Sequence, residues 1–291
     1  VRPERDDDRV HDDGLDRLTG LVQRGGVLVL SGAGLSTESG IPDYRGPSGA
    51  ALRRHAPMTY QAFTRDDAAR RRYWARSHVG WRLMGRARPN DGHTAVAALE
   101  RAGLLVGTIT QNVDGLHQAA GARRVIDLHG RLDRVVCLGC GDVTTRTVLD
   151  ERLTAANTAW RATITAVNPD GDVDLPEEQL DGFTVVDCLR CGGVLKPDVV
   201  YFGENVPAAR VEEAYAWLDS ASSLVVLGSS LTVFSGRRFV LRAAKAGVPV
   251  AIVNEGPTRG DEHAALKLEA PLGRTLAALT AAVGGAEAAT A

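Results

Sequence analysis

Residues Gly26 to Gly40 read G-V-L-V-L-S-G-A-G-L-S-T-E-S-G. Val27 to Leu30 are apolar without alternation and run straight into glycines. A strand of this kind is covered on both faces, as in a parallel sheet. Glycines after a first parallel strand let the backbone approach a pyrophosphate, and a following helix would add free N–H groups and the positive end of its dipole. Gly32 and Gly34 match the first two glycines of a dinucleotide fingerprint, but Thr37 stands where the third belongs. No clear acidic residue ends a second strand about 20 positions on. Taken alone, the fragment is either a phosphate-binding loop or an ordinary tight turn, and it points away from a common dehydrogenase.

Working outward, similar apolar runs recur at Leu104 to Thr110, Val125 to Leu128, Ser223 to Leu227 and Val248 to Val253. Between them lie segments with helical periodicity: Leu15 to Arg24, His93 to Arg101, Pro207 to Leu218 and Gly236 to Ala246. Gly103 and Gly247 follow two of these where a helix-ending glycine belongs. Alternating strands and helices predict an α/β fold, a Rossmann-like parallel sheet. Its expected extent is residues 14–132 and 199–285, with a small helical lobe at about 45–76. A smaller module, residues 133–198, is expected as an insertion. Residues 1–13, rich in Asp and Arg, read as a disordered tail.

The 291 residues are 44% hydrophobic and 24% charged, with a formal net charge of −2, which suits a globular protein and gives no electrostatic footprint for nucleic acid. No apolar run has the length of a membrane span. The opening residues have no apolar segment of signal-peptide type, and the expected location is the cytoplasm.

The four cysteines fall in two C-x-x-C pairs, Cys137/Cys140 and Cys188/Cys191, each followed by glycine. Four thiolates in two knuckles fit one closed tetrahedral Zn²⁺, a structural rather than a catalytic site. The 47 residues from Gly141 to Asp187 that separate the pairs exceed the spacing of a simple zinc ribbon.

Two further segments follow predicted strands, where α/β sheets bind ligands. Thr110 to His117 reads T-Q-N-V-D-G-L-H, a polar turn or a set of ribose and amide contacts. His129-Gly130 ends the next strand, and an imidazole there could accept a proton near neutral pH. His117 reads as structural.

Gly32 to Gly46, G-A-G-L-S-T-E-S-G-I-P-D-Y-R-G, resembles the first signature of the sirtuin family. The segments 110–117 and 129–130, the cysteine pairs, Leu195 to Glu204, Gly228 to Val233 and Asn254 to Gly256 follow in that family's order, over roughly residues 13–280. The resemblance implies an NAD-dependent protein-lysine deacylase, a deacetylase by default, acting on acyl-lysine proteins or peptides. It implies that His129 is the general base, that Asn112 positions the nicotinamide ribose and a water, and that Asp114 holds the nicotinamide amide. Gln111 would contact ribose, and Tyr44 and Arg45 would cover the nicotinamide side. Gly32, Ala33, Gly34, Ser36, Thr37, Pro42 and Asp43 would line the NAD site from the first loop. Gly228, Ser229, Ser230, Asn254, Glu255, Gly256 and Leu272 would complete it. Val199, Val200, Phe202, Gly203 and Val233 would face the acyl-lysine. Many family members carry proline where this chain has Ser235.

The long insert, Arg72 to Arg76 and Val79 to Trp81 are similar to the class II branch, which includes a mitochondrial lipoamidase-type member. That places longer acyl groups, and NAD-dependent ADP-ribosylation of proteins, beside deacetylation. A zinc module binding nucleic acid or protein is the alternative outside enzymes, but basic and aromatic residues do not cluster near the cysteines.

Overall fold

The structure, a computed structural model, describes residues 6–43, 57–164, 166–167 and 173–290. In chain order the first half contains α1 (Asp6–Gln23), β1 (Val27–Ser31), a 3₁₀ helix (Ala33–Ser39), α2 (Tyr60–Arg65), α3 (Asp67–Met84), α4 (Asp91–Arg101), β2 (Leu105–Thr110), α5 (Leu116–Ala119), β3 (Val125–Asp127) and β4 (Gly130–Cys137). The second half contains β5 (Val143–Thr145), α6 (Arg146–Ala156), β6 (Ala166–Val167), β7 (Val173–Asp174), β8 (Leu195–Val199), α7 (Ala208–Asp219), β9 (Ser223–Leu227), α8 (Phe234–Lys245), β10 (Val250–Val253), β11 (Leu266–Leu268) and α9 (Leu272–Thr290).

Six parallel strands form the main sheet in the order β11-β10-β9-β1-β2-β3. β1 sits inside it, and all five of its residues are buried. Its side chains alternate between two layers. Val27 and Val29 pack with Leu18, Val96, Leu99 and Leu276 from α1, α4 and α9. Leu28 and Leu30 pack with Ala214, Leu218, Phe239 and Val240 from α7 and α8. Burial on both faces explains the unbroken apolar run, at about 1.5–3 kcal/mol for each large side chain. Gly103 and Gly247 end their helices at φ 74° and 72°, as a left-handed cap requires. The expected Rossmann-like sheet with a smaller cysteine-bearing module is thus the fold observed.

The smaller module is built on an antiparallel sheet, β5-β4-β8, with a β6-β7 ribbon. Its core is shared with the helical lobe. Phe63, Tyr73 and Trp74 of α2 and α3 pack with Val135, Leu149, Leu153, Phe183 and Leu195. Trp74 Nε1 donates to the Leu195 carbonyl at 3.2 Å. The buried Arg146 guanidinium lies 5.1 Å from the Trp74 ring and 5.7 Å from that of Trp81, and donates to the Ser77 carbonyl at 3.0 Å. Helices and cysteine module therefore form one packing unit.

Three details differ from the sequence reading. Residues 6–13, expected in a disordered tail, are the first turns of α1, because the amphipathic helix continues N-terminally through polar residues. The glycine loop leads into a seven-residue 3₁₀ helix instead of an α-helix. A sixth parallel strand, Leu266–Leu268, is too short to show as an apolar run. Residues 45–56 of the expected helical lobe lie outside the described residues.

Candidate active site and metal centre

The ends of the parallel strands open into a cavity of about 1070 Å³ between the main sheet and the smaller module. Ligand pockets run to about 300–1,000 Å³, so this one has room for a dinucleotide and a second substrate together.

Its floor is made by two loops packed backbone to backbone. Gly34 N donates to the Gly228 carbonyl at 2.9 Å, and Gly32 N to the Leu227 carbonyl at 2.9 Å. A Cβ on Gly32 would lie 2.7 Å from the Gly228 carbonyl oxygen, and one on Gly34 2.9 Å from Gly228 Cα. Gly228 itself is left-handed, φ 61°, and its Cβ would lie 2.6 Å from Leu35 N. These glycines are required by the close approach of β1 and β9 at their carboxyl ends. Because the 3₁₀ helix is short, its dipole is a small contributor, and the cradle is made mainly by loop backbone. Ala33, Ser36, Thr37, Pro42 and Asp43 continue the wall on one side, and Ser229, Ser230 and Val233 on the other. Asn254, Glu255, Gly256 and Leu272 close the far end. Asn254 Nδ2 donates to the carbonyls of Glu255 and Gly256, at 2.8 and 3.0 Å.

The loop after β2 supplies Gln111, Asn112 and Asp114, each held by side-chain bonds. Gln111 Nε2 donates to Ser229 Oγ at 2.8 Å. Asn112 Nδ2 donates to the Gly32 carbonyl at 2.9 Å and to Ser36 Oγ at 3.0 Å. Ser36 Oγ donates in turn to Asp114 Oδ2 at 2.7 Å. Behind this row lie His93 and His117, ring centres 5.1 Å apart. His117 is buried and is pushed down to about 3, by burial first and then by His93. Its Nε2 bonds Ser31 Oγ at 2.8 Å, in keeping with a structural role.

His129 is half-buried at the meeting of both lobes. Its Nδ1 donates to the Gln111 carbonyl at 2.8 Å, and its Nε2 accepts from Ser235 Oγ at 2.7 Å. Burial holds this imidazole below the usual histidine range; the Gln111 bond raises it, and Arg210 and Arg238 lower it again. The ring is thus neutral with its lone pair on Nε2. The His129 carbonyl accepts from Val200 N at 2.8 Å, tying the histidine to the segment carrying Val199, Val200, Phe202 and Gly203, all of which line the cavity. Gly130 permits this junction: at φ 81°, a Cβ would meet the Asp198 carbonyl oxygen at 1.9 Å. Phe202 O accepts from Tyr60 N, and Gly203 O from Gln61 Nε2, which fastens the segment to α2.

All the residues expected around NAD and acyl-lysine therefore line one cavity except Tyr44 and Arg45, which lie outside the described residues. Sequence reasoning missed Glu38, Ser235 and Arg238, which line it too. Glu38 lay within the first motif, and Ser235 was visible only as a departure from proline.

The four cysteine sulfurs lie within 4.8 Å of one another, with Cys137 to Cys191 at 3.5 Å and Cys140 to Cys188 at 3.8 Å. A tetrahedral Zn²⁺ with bonds of about 2.3 Å sets its sulfurs about 3.8 Å apart. The two knuckles are alike: Gly141 N donates to the Cys137 carbonyl and Gly192 N to the Cys188 carbonyl, with φ 71° and 69° at the glycines. Backbone N–H groups, that of Cys140 first, draw the Cys137 thiol down to about 7, whereas its bond to Cys137 pushes Cys191 up to about 12. Four crowded thiols cannot all ionise without a cation, and the donor set fits zinc. No cysteine lines the cavity.

Comparison with known proteins agrees with this geometry. A Sir2 family profile matches residues 32–235. A Streptomyces coelicolor protein described as NAD-dependent protein deacetylase 1 is 63% identical over 255 residues, covering 88% of this chain and 85% of its own. A Xanthomonas campestris NAD-dependent protein deacetylase is 54% identical over 253 residues, covering 87% and 86%. Among solved structures, a Sir2 enzyme with a p53 peptide and NAD⁺ superposes with a TM-score of 0.73 at 29% identity, covering 93% of this chain and 98% of that one. A Sir2 homologue with ADP-ribose gives 0.74 at 29%, covering 94% and 98%. These relatives overturn the expected placement in the class II, mitochondrial lipoamidase-type branch: they are bacterial deacetylases of the Sir2 type. The long insert and the tryptophan-bearing helix that suggested that branch serve the shared core of α3 and the cysteine module. With the family profile spanning more than half its length, the chain belongs to the Sir2 family.

Proposed function

We propose that this protein is an NAD-dependent protein-lysine deacetylase in which His129 is the general base. One observation carries the assignment of the base. His129, whose lone pair is on Nε2, lines the cavity where the glycine cradle, the Gln111–Asp114 loop and the Val199–Gly203 segment converge. NAD, when bound, supplies the ribose carbon and hydroxyls that take the acetyl group from lysine, with nicotinamide as the leaving group. Gly32, Gly34, Gly228 and Ser229 hold its phosphates, and Asn254 and Glu255 its adenine ribose. Asn112 and Gln111 orient the nicotinamide ribose, and Asp114, aligned by Ser36, receives the amide. His129 Nε2 accepts the proton of a ribose hydroxyl, and the Gln111 carbonyl steadies the positive ring. The acetyl-lysine peptide adds as a strand beside Val199–Gly203, with Val199, Phe202 and Val233 around its side chain. Cys137, Cys140, Cys188 and Cys191 would hold a structural Zn²⁺ that ties the smaller module together. Cysteines gathered for metal instead of disulfides are in keeping with the cytoplasm. Among the described residues no helix is long and apolar enough to cross a membrane.

The test is product analysis by mass spectrometry with NAD and acetyl-lysine peptides. Free lysine, nicotinamide and O-acetyl-ADP-ribose in equal amounts are expected, and His129→Asn is expected to lower the rate at least 100-fold, within the range of general-base catalysis of about 10²–10⁴. ADP-ribose appearing on protein, with the acetyl group retained, would establish transfer instead. Full activity in His129→Asn would remove the base assignment.

A further inference from the structure

Ser235 occupies a position where the backbone has no need of serine. It lies in the first turn of α8, after Val233 at the N-cap. Amides at the start of a helix have no intrahelical acceptor, and proline is tolerated there. The backbone bonds of this turn run from Gly236 N and Arg237 N to the Val233 carbonyl, at 3.2 and 3.1 Å. The hydroxyl, in contrast, is engaged: Ser235 Oγ lies 2.7 Å from His129 Nε2, and both residues line the cavity. Since Nδ1 donates to the Gln111 carbonyl, Nε2 of the neutral ring is an acceptor and the hydroxyl is the donor. The charged groups acting on this ring are Arg210 from α7 and Arg238 from α8. Neither titrates in the working range, and both oppose a second proton on His129. A hydroxyl can reverse its role, donating to a lone pair and accepting from an N–H.

We propose that Ser235 is a positioning residue for His129, holding Nε2 toward the cavity and turning from donor to acceptor when that nitrogen is protonated. The proposal rests on the reading of His129 as the base. In the transfer, the O–H bond of the substrate hydroxyl breaks, an Nε2–H bond forms, and the electron pair stays on the oxygen. Ser235 keeps its own proton. Rotation about Cβ–Oγ turns an oxygen lone pair to the new N–H. Both N–H groups of the imidazolium are then satisfied, one by Gln111 and one by Ser235, against the opposing charges of Arg210 and Arg238. Proline offers neither half of this exchange.

The test uses the full zinc-loaded chain with Ser235→Ala and Ser235→Thr, both confirmed to bind one Zn²⁺ and to melt like the parent. Titration of His129 by imidazole ¹⁵N resonances reads the effect without activity. Hydrogen bonds to charged partners exceed neutral ones, so Ser235→Ala is expected to lower the His129 midpoint by roughly 0.5–1 pH unit, with the Nδ1–H tautomer kept. The acid limb of kcat/KM for deacetylation should move by the same amount. kcat should fall several-fold with KM for NAD unchanged, and Ser235→Thr should restore both. An unmoved midpoint in Ser235→Ala overturns the proposal. So does a rise in kcat with a fall in KM for NAD, which would mean that the hydroxyl only obstructs Nε2. If His129→Asn kept full activity, the base reading would fall and this proposal with it. An inactive His129→Asn beside a Ser235→Ala that titrates like the parent would condemn the Ser235 role alone.

Discussion

Lys196 is 3% exposed and forms an ion pair at 3.1 Å with Glu204, which is 22% exposed. Its ammonium also donates to the Val199 carbonyl and sits 4.8 Å from the Tyr201 ring. Glu204 accepts from Tyr201 N at 2.8 Å. The pair thus clasps the two ends of the segment that lines the cavity from Val199 to Gly203. Burial lowers the Lys196 pKa more than Glu204 raises it, so the pair does not fully offset its own desolvation. Lys196→Met removes the cation beside Glu204 and the ammonium donor from Val199 O. Breaking a buried pair costs about 3–5 kcal/mol, and the partial exposure of Glu204 reduces this to about 2–3 kcal/mol. At about 2–4 °C per kcal/mol for a large domain, the melting temperature should fall by roughly 4–12 °C. Lys196→Met/Glu204→Gln buries no charge and should lie within about 1 kcal/mol of the parent. Calorimetry gives the stabilities, and peptide KM reports the segment, rising in both variants because Val199 O loses its donor in each. A single variant that melts within about 1 °C of the parent, far short of the roughly 4–12 °C expected, or a double variant less stable than the single, would refute this reasoning.

Stability should also depend on pH through the buried histidines. His117 is held near 3 and His93 is lowered by burial, whereas the unfolded chain binds protons near 6.5. The unfolded state therefore binds more protons below pH 6.5, and unfolding free energy should fall by up to about 1.4 kcal/mol per pH unit for each such ring as pH drops; a flat profile from pH 7 to 5 would contradict their neutral burial. Purified protein should carry one Zn²⁺ on its four thiols, and a strong chelator should abolish cooperative melting of the α2–α3 and cysteine unit, since structural zinc contributes about 10–16 kcal/mol in small modules; unchanged melting after metal loss would argue against that role. Gly228→Ala, at φ 61° with a Cβ 2.6 Å from Leu35 N, should destabilise the fold by about 2 kcal/mol or more and weaken NAD binding at least tenfold, read by titration calorimetry. Unaltered NAD affinity would mean that the two loops need not touch.

The sequence by itself determined what is local. Unbroken apolar runs such as Val27 to Leu30 require cover on both faces, and helix-ending glycines at 103 and 247 need a left-handed backbone. The cysteine spacing prescribes two knuckles, since each C-x-x-C-G is closed by bonds within its own few residues. The site motifs were legible because each occupies a single loop after a strand. Only the tertiary structure decided how those pieces meet. Phe63 and Trp74 share a core with Leu153 and Phe183, which no spacing rule connects, and the insert that looked like a branch signature is cover for those helices. Arg146 is buried because two tryptophans and a carbonyl from α3 receive it. Ser235 and His129 are 106 positions apart, so a residue that looked like a lost proline is seen to hold a histidine only once β3 and α8 are packed on one sheet. Hydrogen bonds and burial depend on distance in space, and along this chain that distance is set by the sheet order, which places β1 between β9 and β2.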